Sequence, residues 1–316
     1  MLDLLANPTA LAIACAVLGL LVGSFLNVVI LRLPPRLYAR WREQAEEVMS
    51  QDLAADEAED RPSPTLGDHQ KSVELDAGQR ADAAAKSRPP DLVFSRSHCP
   101  HCKHRLAPWE NVPLLSFLAL RGRCRHCGKP ISWQYPAVEA ITALAFAACA
   151  LELGLGWQLL AALAFSAFLI AGSGIDLRTQ LLPDELTLPL LWLGLLCSVA
   201  GWFVAPAEAI VGAALGYLAL WGVYWTFKLL TGREGMGYGD FKLLAALGAF
   251  TGYAGLLPII LISSIAGAVL GTAWLLLRGS GRATPIPYGP FLAIAGFVQF
   301  LWGDALLGSI LANAGG

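Results

Sequence analysis

From Trp157 to Asp176 the chain reads WQLLAALAFSAFLIAGSGID, with no charge until the last residue, and then a carboxyl. About 20 apolar residues are enough to cross a bilayer as a helix. An acid at the mouth of such a helix is costly to keep and is functional by default. The arrangement recurs at Gly237-Tyr238-Gly239-Asp240, where Asp240 opens the apolar segment Phe241 to Phe250.

Working outward, composition puts the whole chain in a membrane. Of its 316 residues 56% are hydrophobic and only 15% are charged, against roughly a quarter charged in soluble domains. Stretches suited to spanning fall roughly at 9–31, 136–154, 157–175, 185–204, 208–229, 241–252, 255–277 and 288–310. The first is long and lacks a small-residue cleavage site after a short core, so it reads as a retained helix. The expected fold class is therefore an all-α polytopic membrane protein. It has about eight transmembrane helices and a soluble loop between the first and second.

Charge orients these spans. With the N-terminus outside, all 22 Lys and Arg fall on one side, which is then cytoplasmic. The outer loops, such as Glu152 to Gly156, hold none. A missed helix would invert every later loop, so the segregation also supports the span count. It places Asp176 and Asp240 at one membrane border, although 64 positions separate them. The net charge of −2 carries no sign of nucleic-acid binding.

Residues 33–135 form the sizeable soluble region, after a first helix in 1–32 and before the membrane part, 136–316. Trp41 to Asp60 reads as a helix near the membrane. Segment 43–92 has more than twice as many acids as bases and few aromatics, a composition that reads as flexible acidic spacer. The module at 96–133 differs. Cys99-Pro100-His101-Cys102 and Cys124-Arg125-His126-Cys127 are two C-x-x-C pairs. Their separation, about 20 residues, suits a closed four-thiolate structural zinc site. Disulfides are the weaker reading in a reducing compartment. His101, His104 and His126 are alternative ligands, each beside a better-placed Cys. Cys15, Cys149 and Cys197 lie inside apolar spans and read as small buried hydrophobes. Between the pairs, Trp109-Glu110-Asn111 reads as either pocket lining or packing. The loop contains no G-x-G-x-x-G or P-loop.

Chemistry narrows next. No G-x-S-x-G elbow and no H-E-x-x-H occurs, and all five His lie in the soluble loop. Two carboxyls brought close share one proton, so one serves as base toward a water and the other as acid toward a carbonyl. Gly237 and Gly239 suit positive φ or close backbone approach beside Asp240. Three blander roles compete: Asp240 as a helix N-cap, Asp184 as the N-cap after Pro183, and Asp176 paired with Arg178 or Lys242. An ion-coupled transporter with Asp176 and Asp240 as cation ligands is the rival function, but such sites sit near the midplane in paired repeats. A scaffold with a zinc recognition loop leaves the acids unexplained.

Gly237-Tyr238-Gly239-Asp240-Phe241-Lys242, with Asp176 upstream, resembles the G-x-G-D membrane aspartic proteases. More narrowly the chain resembles the type IV prepilin leader peptidase/N-methyltransferase family. The likeness extends to Gly23-Ser24-Phe25-Leu26-Asn27 before Arg32-Leu33-Pro34, and to both cysteine pairs with Trp109-Glu110-Asn111. It also covers Ile131-Ser132, Tyr135-Pro136, Glu139, Leu182-Pro183-Asp184 and Pro285-Ile286-Pro287-Tyr288-Gly289-Pro290. The 43–92 spacer is longer than the family needs. The resemblance implies that Asp176 and Asp240 are the catalytic aspartates. It implies prepilin and pseudopilin substrates in the bacterial inner membrane, cleaved at the cytoplasmic border after a Gly. The new N-terminus is then methylated from S-adenosylmethionine; the charge count above leaves both chain termini periplasmic. Trp109, Glu110 and Asn111, with Gly23 and Asn27, are the candidates for the methyl-donor site.

Overall fold

The computed structural model describes residues 7–59, 98–99, 101–105, 107, 112–233, 235–278 and 287–314. Among these the chain is helical, apart from two isolated β-bridges in the cysteine module. The helices are α1 (Pro8–Glu59), α2 (Leu115–Ala119), α3 (Gln134–Leu153), α4 (Trp157–Thr179), α5 (Asp184–Val199), α6 (Pro206–Thr231), α7 (Tyr238–Thr251), α8 (Leu256–Arg278) and α9 (Gly289–Ala314).

Every apolar stretch read from the sequence is a helix here. Five helices, α1, α3, α4, α6 and α8, are long and apolar enough to cross a membrane. At 16 and 14 residues, α5 and α7 are not, because about 20 are needed. Packing explains why α7 can be short. From Asp240 to Phe250 every residue but Lys242 is buried, so α7 is shielded by neighbouring helices.

The chain divides into two compact units. The first, residues 1–30 with 97–316, contains the helices that pack around α7: α5, α6, α8 and α9. Its core includes Phe165, Leu190, Leu220, Phe241, Leu244, Phe250 and Leu292. Small residues let two of these helices meet backbone to backbone. A Cβ on Gly212 of α6 would collide with the Gly248 carbonyl of α7, and one on Gly216 would stand 2.6 Å from the Leu244 carbonyl oxygen. Apolar burial drives little helix association in lipid, so such close packing supplies much of it. Gly212→Val is therefore expected to cost about 3 kcal/mol through overpacking. Thermal unfolding in detergent should show a lower Tm. Gly222→Val, on the same helix with nothing within 4 Å of its added Cβ, should leave Tm unchanged.

The second unit is residues 31–96. Its described part is the continuation of α1 to Glu59, in which Tyr38 and Trp41 meet edge to face at 5.6 Å. The helix does not end at Pro34-Pro35, although each proline removes a backbone donor. It takes in the stretch read as helical from Trp41. Residues 43–59 of the expected acidic spacer are helical, and 60–92 lie outside the described residues.

Candidate active site and metal centre

Asp176 sits in the last turn of α4. Its carbonyl accepts the N–H of Gln180, which ends the helix in a left-handed cap at φ 56°. The chain then turns through Leu181 and Leu182 into Pro183, the extended N-cap of α5. Asp240 is the third residue of α7, behind the N-cap Gly237. Asp240 is therefore not an N-cap. Asp184 is not one either: it is the first residue of α5, and its carboxylate takes Lys242 Nζ at 2.6 and 2.7 Å. That pairing also removes Lys242 as a partner for Asp176. Arg178 is engaged elsewhere, donating to Gln134 Oε1 at 2.6 Å.

Both acids are buried, Asp176 at 5% and Asp240 at 7% exposure. Asp176 accepts the Gly289 N–H at 3.0 Å, at the start of α9, where the helix dipole favours an anion. Oδ1 of Asp240 is buried without a hydrogen-bond partner among the described residues. The charge that acts on Asp240 is that of Asp176.

Leu182 holds this arrangement together. A Cβ on Gly172, Gly239 or Gly289 would meet its side chain at 3.3, 2.5 or 2.9 Å respectively. Three chain segments thus close on one leucine, and the two that follow it in sequence do so only because they present glycine at under 3.0 Å. The glycines before Asp240 are not there for positive φ. Gly237 has φ −83°, and neither it nor Gly239 is in the left-handed region. Gly239 serves close approach, since its added Cβ would also stand 2.8 Å from the Leu182 carbonyl oxygen. Gly239→Ala is expected to push Asp240 away from Asp176. A misplacement on the order of 1 Å costs roughly 10²-fold in rate, to be read as hydrolytic turnover with metal content unchanged.

The cysteine module is built from two similar knuckles. In the first, Cys99 N–H donates to the His104 carbonyl and Lys103 N–H to the Cys99 carbonyl, each at 2.9 Å. In the second, Cys124 N–H donates to Lys129 and Gly128 N–H to Cys124, again at 2.9 Å. Lys103 and Gly128 take the left-handed turn, at φ 59° and 67°. The Sγ atoms of Cys99, Cys102, Cys124 and Cys127 lie within 4.8 Å of one another. Cys99 and Cys127 are 3.9 Å apart, where tetrahedral zinc with bonds of about 2.3 Å calls for roughly 3.8 Å. His104 and His126 stack on each other at 3.9 Å and are not in the cluster. All seven cysteines are free thiols, and Cys15, Cys149 and Cys197 are buried. Trp109, Glu110 and Asn111 lie outside the described residues.

Asn27 and Gly23, the other methyl-donor candidates, lie where α1 meets α3. Gly23 lets the helices touch: its added Cβ would be 2.7 Å from Glu139 Cα. Asn27 donates to the carbonyls of Gly23 and Tyr135. Glu139, a buried acid inside an apolar helix, is a further candidate that no motif in the sequence marks. Its charge in that setting was the signal.

The chain is similar to known proteins over nearly its whole length. Residues 17–153 match the model of the bacterial peptidase A24 N-terminal domain, and residues 163–272 match that of the type IV leader peptidase family. A prepilin leader peptidase/N-methyltransferase of Xanthomonas campestris is 51% identical over 96% of this chain and 95% of its own. Proteins of that name from Aeromonas hydrophila and Pseudomonas aeruginosa are 48% and 45% identical, over 93% and 100% of this chain and 92% and 99% of theirs. No solved structure matches.

Proposed function

The chain belongs to the type IV leader peptidase family, and from that premise we propose that it removes the leader from prepilins and pseudopilins and N-methylates the new N-terminus. The observation that carries the peptidase half is the Asp176–Asp240 pair: two buried acids with no cation paired to either among the described residues, one acting on the other by charge. Like-charged neighbours in a dry site cannot both ionise, so the pair holds one proton. Asp240 Oδ1, without a partner, suits a water, while Asp176 is held in place by Gly289. The ionised acid takes a proton from water as the other gives one to the scissile carbonyl oxygen. The tetrahedral intermediate then collapses, the amine leaves protonated, and no covalent enzyme intermediate forms.

A transporter needs these acids as cation ligands, and neither the family match nor the geometry favours that reading. The Lys and Arg side is the cytoplasmic one of a bacterial inner membrane, with both termini periplasmic. The 33–135 loop is then cytoplasmic, so hydrolysis occurs at the inner border. Cys99, Cys102, Cys124 and Cys127 would hold one Zn²⁺. Four thiolates close the coordination, so the ion is structural and activates no water. S-adenosylmethionine, when bound, supplies an electrophilic methyl group. The test is direct. Purified protein in lipid is given a full-length prepilin, and mass spectrometry reads its N-terminus. Loss of the leader together with gain of one methyl group is the expected result. An uncleaved substrate refutes the peptidase half, and a bare amine on cleaved product refutes the methyltransferase half.

A further inference from the structure

The peptidase chemistry leaves one buried acid unused. Glu139 of α3 is 7% exposed. Its Oε2 accepts the Leu114 N–H at 2.9 Å, from the segment that precedes α2, and the Ser24 side chain of α1 lies close to the same carboxylate. One turn away, against the Tyr135 carbonyl, lies Asn27 of α1, 1% exposed. Both Asn27 donors are used, on Gly23 and Tyr135, one turn before Asn27 and Glu139 respectively. Its Oδ1 is buried with no partner among the described residues. The groups around Glu139 are therefore Ser24 of α1, the Leu114 amide and Gly23 packed on its Cα, with Thr142, whose hydroxyl is turned to the Val138 carbonyl, and Tyr135, which takes Asn27, one turn to either side on α3. None is charged, and no charge from a described residue bears on Glu139.

An intramembrane acid without a cation and an orphaned acceptor one turn away together call for a cationic donor. An α-ammonium group fits, because it carries charge and three N–H donors. The sulfonium of the methyl donor carries charge but no N–H; the donor's own α-ammonium meets the same need, and the comparison of free-amine with N-acetylated pilin below separates the two. Depth agrees too. Asn27 precedes Ile30 by three residues, and Ile30 packs where a Cβ on Gly174 would stand, two residues before Asp176. Gln134, which begins α3, takes Arg178, two residues after Asp176. Glu139 and Asp176 thus lie within about two turns of the same level, and a cleaved chain needs mainly a lateral shift to pass between them.

We propose that Glu139 and Asn27 form the acceptor site for methylation, binding the α-amino group that leader cleavage releases; this rests on the methyltransferase reading above. Glu139 takes a proton from the ammonium. The freed nitrogen lone pair forms the new N–C bond as the donor's C–S bond breaks, and that electron pair stays on sulfur, which becomes a neutral thioether. The product is the N-methylammonium, and Glu139 returns its proton to water.

Glu139→Gln keeps acceptors for Leu114 and Ser24 but loses the base. With a pre-cleaved pilin as acceptor, methylation should fall roughly 30-fold near pH 7, where an α-amine of pKa about 8 is mostly ammonium. The deficit should shrink to about threefold near pH 9, where the amine is already neutral. Leader cleavage and zinc content should be unchanged. A loss equal at both pH values indicates a merely structural acid and overturns the proposal, as does methylation at the wild-type rate. A second measurement does not depend on the variant folding. Wild-type protein should bind a free-amine cleaved pilin roughly tenfold tighter than its N-acetylated form, a difference of about 1.4 kcal/mol. Equal affinities overturn the assignment. Wild-type protein that cleaves yet never methylates refutes the underlying reading instead.

Discussion

Asp176→Asn and Asp240→Asn each reduce leader removal by roughly 10³-fold or more, and the double variant is hardly worse than either single one. The non-additivity is the informative part. Two acids sharing one proton act as a unit, so removing either leaves nothing for the other to do. Asn at 176 can still accept the Gly289 N–H through its carbonyl oxygen, so the local fold is kept and the loss is chemical. Methylation of a pre-cleaved acceptor by the same variants should stay within about twofold, because Asn27 and Glu139 lie on other helices. The readout is the ratio of cleaved to full-length prepilin over time in proteoliposomes. Cleavage by either single variant at more than about a tenth of the wild-type rate would sink the two-acid mechanism.

How much of this arrangement the sequence carried depends on the range of each interaction. Helix positions followed from apolar runs, because hydropathy is a local property. The common level of Asp176 and Asp240 followed from the placement of Lys and Arg, which needs no tertiary knowledge. The cysteine pairs were legible because each knuckle is closed by bonds within five residues, such as Cys99 to His104. What failed was everything set by a partner far along the chain. Asp184 looked like a cap, but Lys242 faces it from 58 positions away. The glycine at 239 suggested an unusual backbone angle or a close approach; the close approach holds, but its partner, Leu182, lies on a different segment and was not legible. Gly289 reaches Asp176 across 113 positions, and no spacing rule connects them. Glu139 is the instructive omission: an acid inside an apolar run was visible throughout, and its meaning appeared only with Asn27 one turn away.

Cys124→Ser, or a strong zinc chelator acting on the wild type, is expected to reduce methylation roughly 10²-fold while leader cleavage stays within about threefold. Wild-type protein should carry about one zinc per chain and the variant none, by elemental analysis. Residues 98–133 contain one helix of five residues and two isolated bridges among those described, too little to bury a core. For so small a module, metal-binding free energy is folding free energy, on the order of 10 kcal/mol. Without the ion the two knuckles lose the link between them, and the segment from Leu114 to Arg123 loses its anchor on that side. That segment places the Leu114 N–H on Glu139, with Leu114 held at φ 54°, so its loosening removes a bond that orients the Glu139 carboxylate. The aspartates have separate support: Leu182, Gly239 and Gly289 lie outside the module and around α7. Equal loss of both activities would mean that the metal holds the entire fold. Full methylation by a protein shown to be metal-free would remove zinc from the account.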